Sequence, residues 1–260
     1  MGGVRRGRYG APPPLTSRPA PDMIRRLLIA AVLAPALASA QQPATWKFSG
    51  TADAGFVSAT GNTDVVTTNF GDKVTASFKA WTFTQTLAQV YGKTKGVESA
   101  NQLRAGLRTE RTLVDGVGGF AAVQYERNAF AGFNRRLDEL LGVQWKAIAD
   151  SSNTLTLDAG GVLTQQENTD GTTKNTPAAR AAAAFKHLFK ANTFFSQGVE
   201  YVPDLQAGGG YRVNSETAAV APLASRINVK IGYVVQYNSK PPAKFGTTDR
   251  VFTSGLQVSF

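Results

Sequence analysis

The 260-residue chain has no cysteine and one histidine. Without cysteine there is no disulfide framework and no thiolate metal site, so stability must come from backbone pairing and packing. His187 alone supplies too few nitrogen ligands for a zinc centre, and no Asp/Asn run has calcium-loop spacing. The glycine run in AGGGYRV is followed neither by Lys-Ser/Thr nor by a helical pattern, which excludes a phosphate loop and leaves an external loop. No stretch beyond the N-terminus approaches the roughly 20 apolar residues of a membrane-spanning helix. Neither a cofactor nor a nucleic-acid partner is implied: half of the formal charge of +10 falls within residues 1–40, and the rest is scattered.

The first forty residues read as processing. Residues 1–22 are rich in Arg, Pro and Gly and have nothing to bury, so they are expected to be a misassigned N-terminal extension. Met23 opens MIRRLLIAAVLAPALASA, with two arginines, an apolar run from Leu27 to Leu37, and then Ala38-Ser39-Ala40. That is the pattern of a secretory signal peptide over 23–40, with Ala38 and Ala40 at the signal-peptidase site and cleavage after Ala40. The expected mature chain is 41–260. No cysteine follows the cleavage site, which excludes a lipoprotein anchor there.

What the rest of the chain has is alternation. Twelve segments begin near Trp46, Val65, Trp81, Asn101, Gly118, Arg136, Thr154, Pro177, Thr193, Gly210, Ser225 and Thr247. Apolar and polar residues alternate within them, as in Leu141, Val143 and Trp145 against Gln144 and Lys146. Each segment matches the roughly 9–11 residues of a tilted membrane strand better than the shorter strands of soluble sandwiches. Lipid requires closed edges and favours an even strand number. The expectation is therefore an all-β fold: a transmembrane antiparallel up-and-down β-barrel of about 12 strands over 41–260, of outer-membrane type. Long outer connections should alternate with short periplasmic ones, including KTKGVES and NAFAGFNRR outside. Trp46, Trp81 and Trp145 should mark the periplasmic rim, and Tyr91, Tyr201 and Tyr237 the outer one. Two places conflict with this pattern. Residues 178–190 (AARAAAAFKHLFK) favour helix by composition although parity needs a strand. Asp72 falls on the greasy face unless Gly71 makes a bulge.

The chain ends on Thr253-x-Gly255-x-x-Val258-x-Phe260, which resembles the C-terminal signal of bacterial outer-membrane proteins. That resemblance implies recognition by the barrel-assembly machinery through edge pairing. FVSATGNTDVVTTNFG and YNSKPPAKFGTTDRVFTSGLQVSF further resemble the salt-induced outer-membrane protein family (YdiY-like), long catalogued as a domain of unknown function. The motifs carried are Gly61-Asn62-Thr63, Tyr237-Asn238, Pro241-Pro242 and Thr248-Asp249. The resemblance implies a Gram-negative outer-membrane barrel in contact with outer-membrane lipid, and it brings no established activity.

Parity assigns Arg104, Arg108, Glu110, Glu126, Lys146, Asp158, Arg212, Glu216 and Lys230 to the lumen, among other charges. These could line a weakly anion-preferring pore or pair into a structural network. Asp138 and Glu139 are adjacent in a strand, so they point to opposite faces and cannot act as an acid/base couple. His187 should face lipid beside Phe185 and Phe189, where no nucleophile is within reach. The expected protein is not an enzyme but a narrow passive pore or an envelope-integrity protein linked to salt or osmotic stress. A cell-surface receptor or adhesion barrel acting through its loops is the alternative, and a hydrolase built on His187 is a third reading.

Overall fold

The computed structural model describes residues 46–59, 65–189 and 193–260. The extension, the signal segment with Ala38 and Ala40, and Gly61-Asn62-Thr63 lie outside the described residues. Twelve strands follow in order: β1 Trp46–Ala59, β2 Val65–Phe78, β3 Trp81–Thr94, β4 Val97–Val114, β5 Val117–Asn128 and β6 Phe133–Ala149, then β7 Asn153–Asn168, β8 Thr173–Leu188, β9 Phe194–Pro203, β10 Tyr211–Pro222, β11 Ile227–Asn238 and β12 Thr248–Ser259. Each pairs antiparallel with its neighbours in sequence, and β12 returns to β1, so the sheet is a closed barrel. Closure leaves no unpaired edge, which is the condition for a sheet to sit in hydrocarbon.

Residues paired across a ladder share a face, so the register separates the two surfaces. Outward rows carry Phe48, Phe83, Leu107, Leu141, Val143, Ile231, Phe252 and Leu256, all exposed. At one rim Trp46, Phe48, Phe78, Phe83 and Trp81 form a continuous outward aromatic cluster. At the other, Tyr201, Tyr211 and Tyr237 lie side by side with their rings tilted against one another. Both belts stand where amphipathic rings meet the headgroups of a bilayer. Strand β8 settles the ambiguous alanine run: Ala181 to His187 pair with β7 on one side and β9 on the other. Two ladders outweigh the modest helix preference of alanine.

Two expectations are corrected and one is met. KTKGVES is not a loop, because β3 and β4 run on to a two-residue turn at Lys95-Gly96, both with positive φ (50° and 75°). That is the backbone of a tight hairpin whose twist matches its strands. Likewise, β6 already begins at Phe133, so only a short 3-10 turn over Ala129–Ala131 and Gly132 remain of NAFAGFNRR. Asp72 is where parity puts it: without a bulge at Gly71 it pairs in unbroken register with Ala52 and Leu87 and stays on the outward face.

The turn at residues 150–152, at the tryptophan rim, is held by Asp150. Its carboxylate accepts the backbone N–H groups of Ser152 and Asn153 at 2.8 and 2.6 Å. Those bonds, with the Asn153 side chain, hold its pKa below the usual aspartate value.

Candidate functional site

The inward rows hold the chemistry. On the wall formed by β4 to β9, Asp158 Oδ2 accepts Arg108 Nη1 at 2.9 Å and Arg180 Nη1 at 3.1 Å. Arg108 also reaches Glu110 at 2.5 Å and Gln144 at 2.9 Å, and Arg180 reaches Glu200 at 2.5 Å. Asn214 completes Glu200 at 2.9 Å. The Arg108 guanidinium lies 3.8 Å over the Phe120 ring, and that of Arg180 lies 5.7 Å from it. Phe120 belongs to an inward apolar cluster with Ala122, Leu140, Val162, Ala178 and Val202, which alternation alone had not marked as lumen-facing. Stacked and forked arginines of this kind are pre-organised, unlike lysines.

Because Asp158 and Glu200 depend on Arg180, that residue carries a stability prediction. Arg180→Met is expected to destabilise the barrel by about 3 kcal/mol, since it leaves two largely buried carboxylates under-compensated. The measurement is the urea midpoint of refolded protein. A shift no larger than that of an exposed control, Lys174→Met, would contradict it.

Nearer the tyrosine rim, a second girdle crosses the lumen. Gln236 on β11 accepts from Gln102 on β4 at 2.9 Å and donates to Glu126 on β5 at 3.1 Å. Gln102 donates to Glu126 at 2.7 Å, and Arg136 pairs with Glu126 at 3.5 Å and donates to Gln166 at 2.8 Å. Alongside, Arg212 on β10 reaches Asp138 on β6 at 3.0 Å and Thr164 on β7 at 2.8 Å. None of these partners is an adjacent strand of Gln236 or Arg212, so the side chains bridge the interior.

Above the girdle lies a strap. Residues 239–247 leave β11, and Asn238 Oδ1 accepts the Lys240 N–H at 3.0 Å at its start. Pro242 and Phe245 then pack on Gly132, in the β5–β6 connection on the opposite side of the ring. A Cβ on Gly132 would lie 2.6 Å from Phe245 Cδ2, and Gly132 has φ +88°. Close approach and left-handed backbone both require glycine there. The Lys240 ammonium donates to the Gly208 carbonyl, so the glycine run is tied to the strap.

The residues singled out from sequence fall as follows. Arg108, Glu110 and Asp158 are joined in the wall network; Glu126 and Arg212 are in the outer girdle; Lys230 pairs with Asp53 at 2.8 Å. Arg104 faces inward opposite Glu126, Lys146 opposite Thr156 and Glu216 opposite Gly198, and none of the three makes a salt bridge among the described residues. Asp249 faces inward opposite Gln236. Arg136 had been counted in an outer connection; the earlier start of β6 makes it a buried member of the girdle. Counting back by twos from Gln144 would have found it. Asp138 points inward, while Glu139 is outward and accepts Gln165 at 3.4 Å. His187 is outward, its Nδ1 2.8 Å from Asn153 Oδ1 and its ring 4.4 Å from Phe189. At the closing seam Gly255 pairs with Lys230, Thr253 with Gly232, and Val258 with Ala52 and Ile227. The terminal Phe260 exchanges backbone hydrogen bonds of 2.8 and 2.9 Å with Gly50.

Apolar outward rows between two aromatic belts, a polar inward face and a closed twelve-stranded ring define a porin-like outer-membrane β-barrel fold. Residues 52–260 match the family model described as protein of unknown function, DUF481, and the chain belongs to that family. Among curated proteins none matches the sequence. Solved structures are similar at low identity. They include the NanC porin (9% identity, 81% of this chain and 97% of that one, TM-score 0.45) and the translocator domain of autotransporter NalP from Neisseria meningitidis (14%, 92% and 95%, 0.43). The KdgM porin is another (9%, 81% and 99%, 0.43).

Proposed function

We propose that the protein is a narrow passive pore of the bacterial outer membrane, with the tryptophan rim in the periplasm and the tyrosine rim outside. The observation that carries this reading is the division of the lumen. Exposed lysines line its lower part, and cross-lumen side chains with a strap stand across its upper part. An inward face built only to fill a wall would pair its charges throughout; here, among the described residues, Arg104, Lys146 and Glu216 are left without ion pairs. Twelve strands also fall between barrels filled by side chains and those with a wide aqueous channel. The physiological setting we propose is salt or osmotic stress, which rests on the family resemblance of the sequence. Export through the 23–40 signal and recognition of Thr253, Gly255, Val258 and Phe260 by the assembly machinery belong to the same proposal.

Planar-bilayer recording of refolded 41–260 tests the pore: small discrete conductance steps are expected, and silence from protein with intact heat-modifiable mobility would refute it. Orientation is tested separately on intact cells. Cysteines placed at Asn168 and Lys244 should react with an impermeant thiol reagent, whereas one at Ser152 should not; labelling of Ser152 alone would invert the assignment.

A further inference from the structure

Four lysines set the lower lumen apart. Lys47, Lys73, Lys146 and Lys186 come from β1, β2, β6 and β8, and all four are exposed to water. Register turns them inward. Lys47 stands opposite Ser77, Lys73 opposite Thr51 and Thr86, Lys146 opposite Thr156, and Lys186 opposite Thr154 and Ser196. Lys47 and Lys146 adjoin the rim residues Trp46 and Trp145, and Lys186 lies two residues from the end of β8. Among the described residues, the salt bridges of the barrel use other cations, and none of these four ammonium groups has a carboxylate within 4.0 Å. Of the inward carboxylates, Asp53 is taken by Lys230 and Glu110 by Arg108, and Glu216 on β10 has no ion-pair partner among the described residues. Lys73 and Lys186 rise from opposite sides of the ring, yet their charges are close enough to act on each other. The Lys186 ammonium lies 4.1 Å over the Phe194 ring.

We infer that this lower lumen is a binding vestibule for compact multivalent anions, phosphorylated or polycarboxylated, entering from the periplasmic side. It rests on the pore reading above for its orientation and names the solute class that reading leaves open. The chemistry is that of the lining. Lysine is a mobile, strongly hydrated point charge that suits phosphate or carboxylate oxygens without demanding a fixed fork. The paired positions supply hydroxyl donors and no competing carboxylate. Several like charges facing one narrow, low-dielectric-walled space repel each other, and a multivalent anion removes that repulsion where monovalent ions do so weakly. Arg104 apart, the inward arginines above, Arg136 and Arg212, are spent on fixed partners, so most of the free positive charge lies below the girdle.

The test is calorimetric titration of refolded 41–260, in zwitterionic micelles, with tripolyphosphate. The expected result is saturable binding that weakens steeply with added NaCl and falls at least tenfold, an order-of-magnitude expectation for removing two lysine charges from one site, in Lys73→Gln/Lys186→Gln. It should be retained in Lys73→Arg/Lys186→Arg and in the outward-facing control Lys93→Gln. Heat-modifiable mobility confirms that each variant is folded. Equal affinity in the double glutamine variant, or no saturable binding by the parent, would overturn the vestibule. A barrel that binds but does not conduct would refute the pore and leave the site. One that conducts but does not bind would do the reverse.

Discussion

Gln236→Ala combined with Arg212→Ala is expected to raise single-channel conductance severalfold without unfolding the barrel. These are the two side chains that reach across the lumen from the β10–β11 wall. Removing them withdraws the far side of the girdle. On the near side, Glu126 keeps Arg136 and Gln102, and Asp138 keeps Thr164 at 2.5 Å. The cost in stability is about 1 kcal/mol per lost Gln236 hydrogen bond and about 3 kcal/mol for Asp138, which loses its salt-bridge partner and keeps Thr164. The strap can be separated from the girdle by Gly132→Leu, which cannot coexist with Phe245 and Pro242 in their present places. If the strap alone closes the mouth, the glycine variant opens the channel and the double alanine variant does not. Unchanged conductance in the double variant would therefore remove the girdle from any gating role.

The second large effect concerns closure. A Cβ on Gly255 would lie 2.2 Å from the Ala54 carbonyl oxygen and 2.8 Å from Gly55 Cα, against the backbone of β1. Gly55 is as crowded from the other side, 2.1 Å from the Ser254 carbonyl oxygen. Neither obstacle is a flexible side chain, so Gly255→Val must force the seam apart. The β1–β12 pairing runs only over Thr51–Ala54 against Leu256–Ser259, besides the Gly50–Phe260 bonds, and has little length to spare. The variant is expected to fail refolding and to lose heat-modifiable mobility, whereas Gly246→Val, where a Cβ meets nothing within 4 Å, should fold normally. A folded Gly255→Val barrel would show that the seam can widen. The same contact gives the terminal motif a physical meaning apart from any recognition: its glycine is where the first and last strands touch.

Much of this barrel was legible in one dimension because a strand has a period of two and lipid tolerates no open edge. Alternation in segments such as Ile227–Asn238 located the strands, and the cost of an open edge in lipid implied closure. The outward face followed from the same parity, including Asp72, whose awkward position needed no bulge to explain it away. Parity also placed Arg108, Glu126 and Arg212 inside. It could not say which charges meet, because partners such as Gln102 and Gln236 are 134 residues apart and on non-adjacent strands.

Strand ends were less legible where turn chemistry is local and quiet. Lys95-Gly96 makes a hairpin in two residues, and β6 starts before Arg136, so a nominal loop residue became a buried lumen group. The sequence by itself determined the class of fold and the sorting of side chains between lipid and lumen, because both depend only on periodicity and on the cost of unpaired backbone. The tertiary structure alone decided that the strap crosses to Gly132, that Arg108, Arg136, Arg180 and Arg212 are occupied and that four lysines are left free. Those outcomes depend on which strands face each other across the ring, a relation that register around the whole barrel fixes and no single segment contains.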